Sequence, residues 1–417
     1  MKSGTVYIVG AGLAGLSAAV ALAEQGVRVE VIESAPSAGG RCRSYYEPAL
    51  ARVIDNGNHL ILSGNRAVQD YVNRIGSAMA FIGPSHAEFA FVDTRTAERW
   101  TVRLNDGAVP WWIFSKARRV PGTGALDYLG LARLLWPRSG ALGAAGQSSG
   151  PLWHRLLHPV LLAALNTKPE MASAKLVATV LRETLAKGGR ACRPRIASPT
   201  LAAALVDPAV AFVRQRDGTF RMSQRLRNVV LDAAGVLALE LGEMQLTLTK
   251  QDRVILAVPP WVAKSLVPGV AAPDEFRAIV SAHFAIEPAP GTPAMTGLIG
   301  ATVEWAFAFA DRISVTISNA DRFAEVDRAE LAALCWREVS DVFQLPSDLP
   351  PWQIVKEKRA TFAATPEQER KRPGSATQWQ NLFLAGDWTD TGLPATIEGA
   401  VRSGNRAAQL ALASLPQ

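Results

Sequence analysis

The fold is decided by residues 5–33, which have the sequence TVYIVGAGLAGLSAAVALAEQGVRVEVIE. A short apolar run before the glycines predicts a buried parallel strand, and the alanine-rich stretch after them predicts a helix that ends at Gly26. A second apolar run ends directly before Glu33. This order of strand, glycine-rich turn, helix, strand and acid predicts a Rossmann-like α/β domain that binds a dinucleotide, although a glycine-rich turn in an unrelated βαβ unit is the alternative.

Each glycine of the turn has a separate physical task. Gly10 permits the tight turn, Gly12 lets backbone N–H groups approach a pyrophosphate, and Gly15 lets the helix lie close to the strand. The helix N-terminus favours phosphate charge, and Glu33 stands near the spacing expected for an acid that binds a ribose. The residues expected at the phosphate and ribose are Gly10, Gly12, Leu13, Ala14, Gly15, Glu33 and Ser34.

A second glycine pair, Gly39 and Gly40, is followed by Arg41. A close backbone approach together with an arginine that can pair with a pyrophosphate favours a flavin dinucleotide over a nicotinamide one. The alternative is a surface turn with a solvated arginine. We therefore expect FAD as the cofactor, with all three residues in contact with it.

The C-terminal end of the chain has a second construction of this kind. Residues 381–385 predict a buried strand that runs into Gly386 and Asp387, and a helix is predicted from about Ala395 to Ala413 with Pro394 at its first position. Asp387 could accept hydrogen bonds from a ribityl hydroxyl, and the helix N-terminus could stabilise the charge of the reduced ring. The residues expected at the flavin are Gly386, Asp387, Leu393, Pro394, Ala395 and Thr396.

The two ends together resemble the amine oxidase and carotenoid desaturase superfamily of flavoproteins, and within it the hydroxysqualene dehydroxylases. The matching stretches are residues 55–60 (DNGNHL), 163–167 (AALNT), 256–261 (LAVPPW), 357–363 (EKRATFA) and 386–404. The resemblance implies that a reduced flavin removes the hydroxyl group of hydroxysqualene, delivering hydride from N5 and giving squalene. An oxidising carotenoid or phytoene desaturase is the alternative, and a prenyl-binding module without catalysis is a second one.

The resemblance also implies roles for particular residues. Asn56 and Gly57 would lie near the flavin, and the backbone near Leu226 would touch the adenine. His59 is the first candidate for the proton donor to the departing hydroxyl and Asp55 the second, while a structural role for His59 is the alternative. Trp305, Phe307 and Phe309 are candidates for stabilising positive charge on the substrate, unless they only pack the core.

The domain organisation follows from the same resemblance. We expect an FAD-binding domain from residues 1–75, 216–274 and 346–417, and a discontinuous α+β substrate domain from residues 76–215 and 275–345. Only one GxGxxG unit follows a strand, so no separate nicotinamide domain is expected and the electron donor stays open. Three cysteines without CxxC spacing indicate neither a disulfide framework nor a metal site.

Composition adds an expectation about membranes. The formal charge is +7, but nothing resembles a nucleic-acid-binding module. No run of about 18 apolar residues predicts a transmembrane helix, and a cytoplasmic location is expected. Residues 111–136 combine aromatic, aliphatic and basic side chains, which indicates either a peripheral contact with the inner face of a membrane or an aromatic cluster of the core.

Overall fold

A computed structural model describes residues 4–136, 139–145 and 149–416. The strands in these ranges are β1 (Thr5–Val9), β2 (Arg28–Ile32), β3 (Ser44–Glu47), β4 (Arg52–Asp55), β5 (Leu60–Leu62), β6 (Phe81–Ile82), β7 (Glu88–Asp93), β8 (Arg99–Arg103), β9 (Pro194–Ala197), β10 (Thr219–Arg221), β11 (Asn228–Leu231), β12 (Val236–Leu241), β13 (Met244–Thr247), β14 (Arg253–Leu256), β15 (Phe276–Phe284), β16 (Met295–Ile299), β17 (Trp305–Ala308), β18 (Ile313–Ile317), β19 (Trp352–Phe362) and β20 (Leu382–Leu384). The α-helices are α1 (Leu13–Glu24), α2 (Arg66–Arg74), α3 (Leu129–Leu134), α4 (His158–Leu165), α5 (Ala174–Glu183), α6 (Asp207–Arg214), α7 (Pro260–Leu266), α8 (Arg328–Phe343), α9 (Pro366–Arg370) and α10 (Ile397–Ser414).

A five-stranded parallel sheet joins the two ends of the chain. Its order is β10-β2-β1-β14-β20, so β1 lies at the centre and β20 at one edge. Helices α1 and α10 cover one face with α6, and residues of the antiparallel sheet β11-β12-β13 contribute to the core on the other face. Burial on both faces explains the continuous apolar runs of residues 6–9 in β1, 254–256 in β14 and 382–384 in β20.

A seven-stranded mixed sheet forms the second large unit, in the order β19-β15-β18-β17-β16-β7-β8. Alternate residues of its strands point to opposite faces. One face packs against α8 through residues such as Ala282 and Val315. The other face has Phe91, Trp305 and Phe307 and belongs to the largest core cluster, which also includes the segments between residues 111 and 181.

Two parts of the chain pack differently from the predicted domain division. Strand β19, assigned to the FAD-binding domain, pairs along its length with β15 and so belongs to the seven-stranded sheet. Residues 201–213, assigned to the substrate domain, bury Leu205, Ala209 and Val213 in the core that contains α1. Both differences arise because sheet pairing and helix docking join segments that are distant in sequence.

The predicted elements around the cofactor are mostly confirmed, because β1, α1, β2 and β20 form where the sequence predicts them. The start of the last helix is wrong by two residues. Pro394 does not occupy a helical position, because Thr396 is the N-cap and its Oγ1 accepts a hydrogen bond from the Gly399 N–H at 3.0 Å. No helix in the described ranges combines the length and apolar character needed to cross a bilayer.

Candidate functional site

The turn between β1 and α1 is closely packed at two of its glycines and borders open space at the third. A Cβ at Gly10 would lie 2.4 Å from the Ala257 carbonyl oxygen, and one at Gly15 would lie 1.9 Å from the carbonyl oxygen of Gly10. At Gly12, by contrast, a Cβ would meet nothing within 4 Å. Gly10 and Gly15 therefore serve the close packing of the turn, whereas Gly12 borders open space at the N-terminus of α1, where a pyrophosphate is expected.

The predicted ribose acid is fixed by backbone donors. The Glu33 carboxylate accepts hydrogen bonds from the N–H groups of Ala11 at 2.7 Å and Ala35 at 2.8 Å. The neighbouring Ser34 hydroxyl donates to the same carboxylate at 3.2 Å. Glu33 is thus held beside the glycine turn with its orientation set before a ribose binds.

The segment that is expected to contact the adenine lies beside Glu33. The Gln224 N–H donates to the Glu33 carbonyl at 2.8 Å, which brings this segment alongside the ribose acid. Leu226 is buried two residues later. The position agrees with the expectation for Leu226, whose contact with adenine stays a prediction.

The second glycine pair lies against the first turn. Gly39 and Gly40 have φ values of +114° and +56°, which other residues adopt with difficulty. The Gly39 N–H donates to the Ala11 carbonyl at 2.8 Å, and a Cβ at Gly40 would lie 3.3 Å from the Gly12 Cα. The two turns therefore border the same space.

An ion pair joins the N-terminal and C-terminal halves of the site. Arg41 Nη2 donates to Asp387 Oδ1 at 2.7 Å, and its other terminal nitrogen donates to the Ala360 carbonyl. The Asp387 side chain is 8% exposed, whereas that of Arg41 is 44% exposed. Arg41 therefore keeps accessible donors for an anionic ligand while it fixes Asp387.

The loop that contains Asp387 is held by a buried arginine that the sequence analysis missed. Arg372 donates to the carbonyl oxygens of Asp387 and Trp388, both at 3.3 Å, and to Thr391 Oγ1 at 3.1 Å. Its guanidinium also lies 4.8 Å from the ring centroid of Phe362. Only the RP pair at residues 372–373 marks this arginine in the sequence, and nothing local indicates what it contacts.

The start of α10 is packed closely on α1, as its small residues predict. A Cβ at Gly404 would lie 2.1 Å from both the Ala14 carbonyl oxygen and Ser17 Oγ. Ser403 Oγ accepts a hydrogen bond from the Gly386 N–H at 2.8 Å. The helix is therefore anchored both to the glycine turn and to the loop before it, with residues 393–396 between them.

The segment from Asp55 to His59 crosses one face of the seven-stranded sheet. Its residues contact different strands of that sheet. The contacts join Asn56 Nδ2 to Glu357 Oε2 at 3.3 Å, Asn58 Nδ2 to Thr316 Oγ1 at 3.2 Å and an ideal Gly57 Cβ to Ser281 Oγ at 3.4 Å. This segment is thus the junction between the cofactor-binding half and the sheet.

His59 borders a small cavity together with Asn58, Leu201, Phe307 and other residues. Burial and then the positive charge of Arg41 lower the pKa of His59 to about 4, and Asp387 partly opposes the shift. The neutral form of His59 therefore predominates at pH 7.

Asp55 borders the same cavity but is tied to the scaffold. Its Oδ1 accepts hydrogen bonds from Ser44 Oγ at 2.6 Å and from the Leu201 N–H at 2.8 Å, and Arg312 approaches Oδ2 at 3.9 Å. Burial raises the pKa of Asp55 although these contacts oppose it. These bonds hold Asp55 to the scaffold, and its role as a proton donor stays a prediction.

The three aromatic residues of the candidate substrate wall are not equivalent. Phe307 and Phe309 border the cavity with His59, whereas Trp305 packs edge-on against Phe91 in the neighbouring cluster. The Arg312 guanidinium lies 3.9 Å from the ring centroid of Phe309 and so occupies one of its faces. A role of these rings toward a substrate stays a prediction.

These features fit FAD, because the open position at Gly12, the fixed Glu33 carboxylate and the Arg41–Asp387 pair form one site. A sequence model of the family described as flavin containing amine oxidoreductase matches residues 13–412. The hydroxysqualene dehydroxylase of Rhodopseudomonas palustris is 53% identical over 414 residues, which is 99% of each chain. That of Sinorhizobium fredii is 51% identical over 408 residues and 98% of each chain.

Solved structures agree on the architecture. Cyclohexylamine oxidase from Brevibacterium oxydans has a TM-score of 0.72 over 99% of both chains at 16% sequence identity, which shows a shared fold. The resemblance expected from the motifs is thus confirmed over the whole length. The chain belongs to the flavin-containing amine oxidoreductase family and, within it, to the hydroxysqualene dehydroxylases, with FAD as its cofactor.

Proposed function

We propose that this protein reductively removes the hydroxyl group of hydroxysqualene and releases squalene. The observation that carries the proposal is that His59, Phe307 and Phe309 border one small cavity of about 10 Å³, in the segment that joins the cofactor-binding half to the seven-stranded sheet. The full-length similarity to the two named relatives supports the same substrate.

The reaction requires two electrons and two protons. The C–O bond of the alcohol breaks, a C–H bond forms at the same carbon, and the oxygen leaves as water. The chemistry supplied by a bound, reduced FAD would be hydride transfer from N5. The protein must position the alcohol, exclude water from the reacting carbon and provide the proton for the oxygen.

We assign proton donation to His59. The lowered pKa of His59 makes its protonated form a strong acid, which suits a poor leaving group such as hydroxide. That form makes up only about one part in a thousand at pH 7. If His59 delivers the proton, the turnover rate must therefore rise as the pH falls.

The phenyl ring of Phe307 would stabilise the reacting carbon. Breaking the allylic C–O bond gives that carbon positive character, and the face of an aromatic ring attracts a cation within about 6 Å. Phe307 is 5% exposed, so its ring would act in a site from which water is excluded. Asp55 and Asn58 would hold the His59 segment in place.

The test is an anaerobic incubation of the photoreduced FAD enzyme with hydroxysqualene. We expect squalene to form as the flavin is reoxidised, and no product with oxidised enzyme. Unchanged alcohol in the presence of folded, reduced holoenzyme would contradict the proposal. Oxidised enzyme that converts phytoene to a more unsaturated carotenoid would instead support the desaturase alternative.

A further inference from the structure

We infer that this protein docks on the anionic surface of a phospholipid bilayer through one exposed apolar patch. The patch consists of Trp111, Phe114, Leu126 and Leu129, whose exposed fractions lie between 63 and 79%. The inference rests on the proposed function in one respect, because a long isoprenoid alcohol dissolves in a membrane and the enzyme would have to reach it there. The surface itself follows from the geometry of two short helical turns.

Each turn presents an apolar pair to the outside. Trp111–Phe114 and Ala125–Tyr128 are 3₁₀ turns, and in this conformation side chains three positions apart lie on the same side. Trp111 and Phe114 form one such pair, with their ring centroids 6.1 Å apart. Leu126 and Leu129 have the same spacing. The turns contact each other, so the two pairs form one surface.

The opposite sides of these turns are buried. Trp112 is 6% exposed and packs edge-on against the ring of Tyr128, with the centroids 5.1 Å apart. Both residues belong to the core cluster that also contains Trp305 and Phe307. Both turns therefore pack on the same apolar cluster as Phe307, which borders the cavity beside His59.

The charges around the patch favour a lipid surface with negative headgroups. Lys116, Arg118, Arg119 and Arg133 are the basic residues between positions 105 and 136. Of the two acidic residues there, Asp106 pairs with Arg193 at 3.2 Å, and the exposed Asp127 is outnumbered by the four basic residues. Aromatic and aliphatic side chains rimmed by basic ones are typical of interfacial membrane contacts.

The experiment is a flotation assay of the FAD holoenzyme with phosphatidylcholine vesicles, with and without phosphatidylglycerol. The test variant carries Trp111→Ser and Leu126→Ser, and the control is Leu237→Ser, an exposed leucine in β12. We expect the double variant to bind anionic vesicles at least about tenfold more weakly, since two large side chains no longer enter the interface. The control should bind like the wild type.

A second variant tests the charges separately. Lys116→Glu with Arg133→Glu should weaken binding to anionic vesicles and leave binding to neutral vesicles unchanged, and salt should have the same effect as the variant. Unchanged flotation of the double serine variant with normal FAD content would overturn the proposal. So would a change in oligomeric state without a change in flotation, which would make the patch a contact between copies of the chain.

Turnover of detergent-dispersed hydroxysqualene separates this inference from the proposed function. Both surface variants should retain wild-type turnover under these conditions, because no part of the patch touches the cofactor site. Vesicle binding without squalene formation would contradict the proposed reaction and still support the membrane-docking patch. Squalene formation without vesicle binding would contradict the membrane-docking patch and still support the proposed reaction.

Discussion

Replacing Gly12 with alanine should separate cofactor binding from folding. The Gly12 backbone has φ −73° and ψ 177°, which alanine adopts without strain, and the added Cβ would meet nothing within 4 Å. The apoprotein of this variant should therefore unfold at the wild-type temperature. FAD, however, needs the space that the methyl group fills.

The magnitude follows from contact distances. Backbone N–H groups bind phosphate oxygens at about 2.7–3.2 Å, whereas a methyl carbon needs about 3.5–4 Å. A pyrophosphate displaced by this difference loses one or two hydrogen bonds, each about 1.5–3 kcal/mol for a charged acceptor. A net loss of about 2–4 kcal/mol corresponds to a roughly 30- to 700-fold weaker Kd for FAD.

The assay is a titration of apoprotein with FAD, followed by flavin fluorescence, beside a thermal melt of the apoprotein. Gly15→Ala is the matched comparison, because its Cβ would lie 1.9 Å from the Gly10 carbonyl oxygen and should lower the melting temperature itself. A Gly12→Ala protein that binds FAD within about twofold of the wild type would refute the placement of the pyrophosphate at this turn.

Four further changes test other parts of the site. His59→Gln should slow turnover by about 10²–10⁴-fold, and wild-type turnover should rise as the pH falls from 8 to 6; a flat wild-type profile would exclude His59 as the acid. Arg372→Leu should reduce FAD content and melting temperature because the loop carbonyls lose their donor, whereas exposed Arg370→Leu should change neither. Phe307→Leu should lower kcat about tenfold with normal FAD content, which single-turnover measurements can resolve; equal kcat would assign the ring to packing alone. The contribution of His283 to the free energy of unfolding should fall by up to about 1.4 kcal/mol per pH unit between about pH 6.5 and 3, because burial lowers the pKa of His283 to about 3 while the unfolded chain takes up the proton near 6.5; His59, whose pKa is lowered to about 4, adds a similar slope, and His283→Gln should remove only its own share in pH-dependent melts.

The cofactor site could be predicted because its determinants are local. Gly10, Gly12 and Gly15 act within one turn, and Glu33 follows the next strand, so spacing alone identifies their tasks. Gly386 and Asp387 are also predictable from local sequence. Only the family resemblance, however, indicates that they lie beside the N-terminal motif.

The remaining parts depend on contacts between distant segments. Pairing of β19 with β15 moves residues 352–362 out of the predicted domain, and no local pattern indicates that partner. Arg372 looks like an ordinary surface charge in the sequence, yet it is buried and holds the loop around Asp387, and no local pattern indicates that Asp55 accepts a hydrogen bond from the distant Leu201 N–H. Trp111 and Trp112 are the same residue type, but Trp111 is exposed and Trp112 is buried. Only the 3₁₀ geometry of the turn determines which ring faces the core.

The position of β20 beside β14 has a consequence for biosynthesis. During translation the glycine turn after β1 leaves the ribosome long before Asp387 and the helix that packs on α1. A nascent chain thus carries only one half of the flavin site until α10 has been made. The two halves can therefore enclose the cofactor only after α10 has emerged.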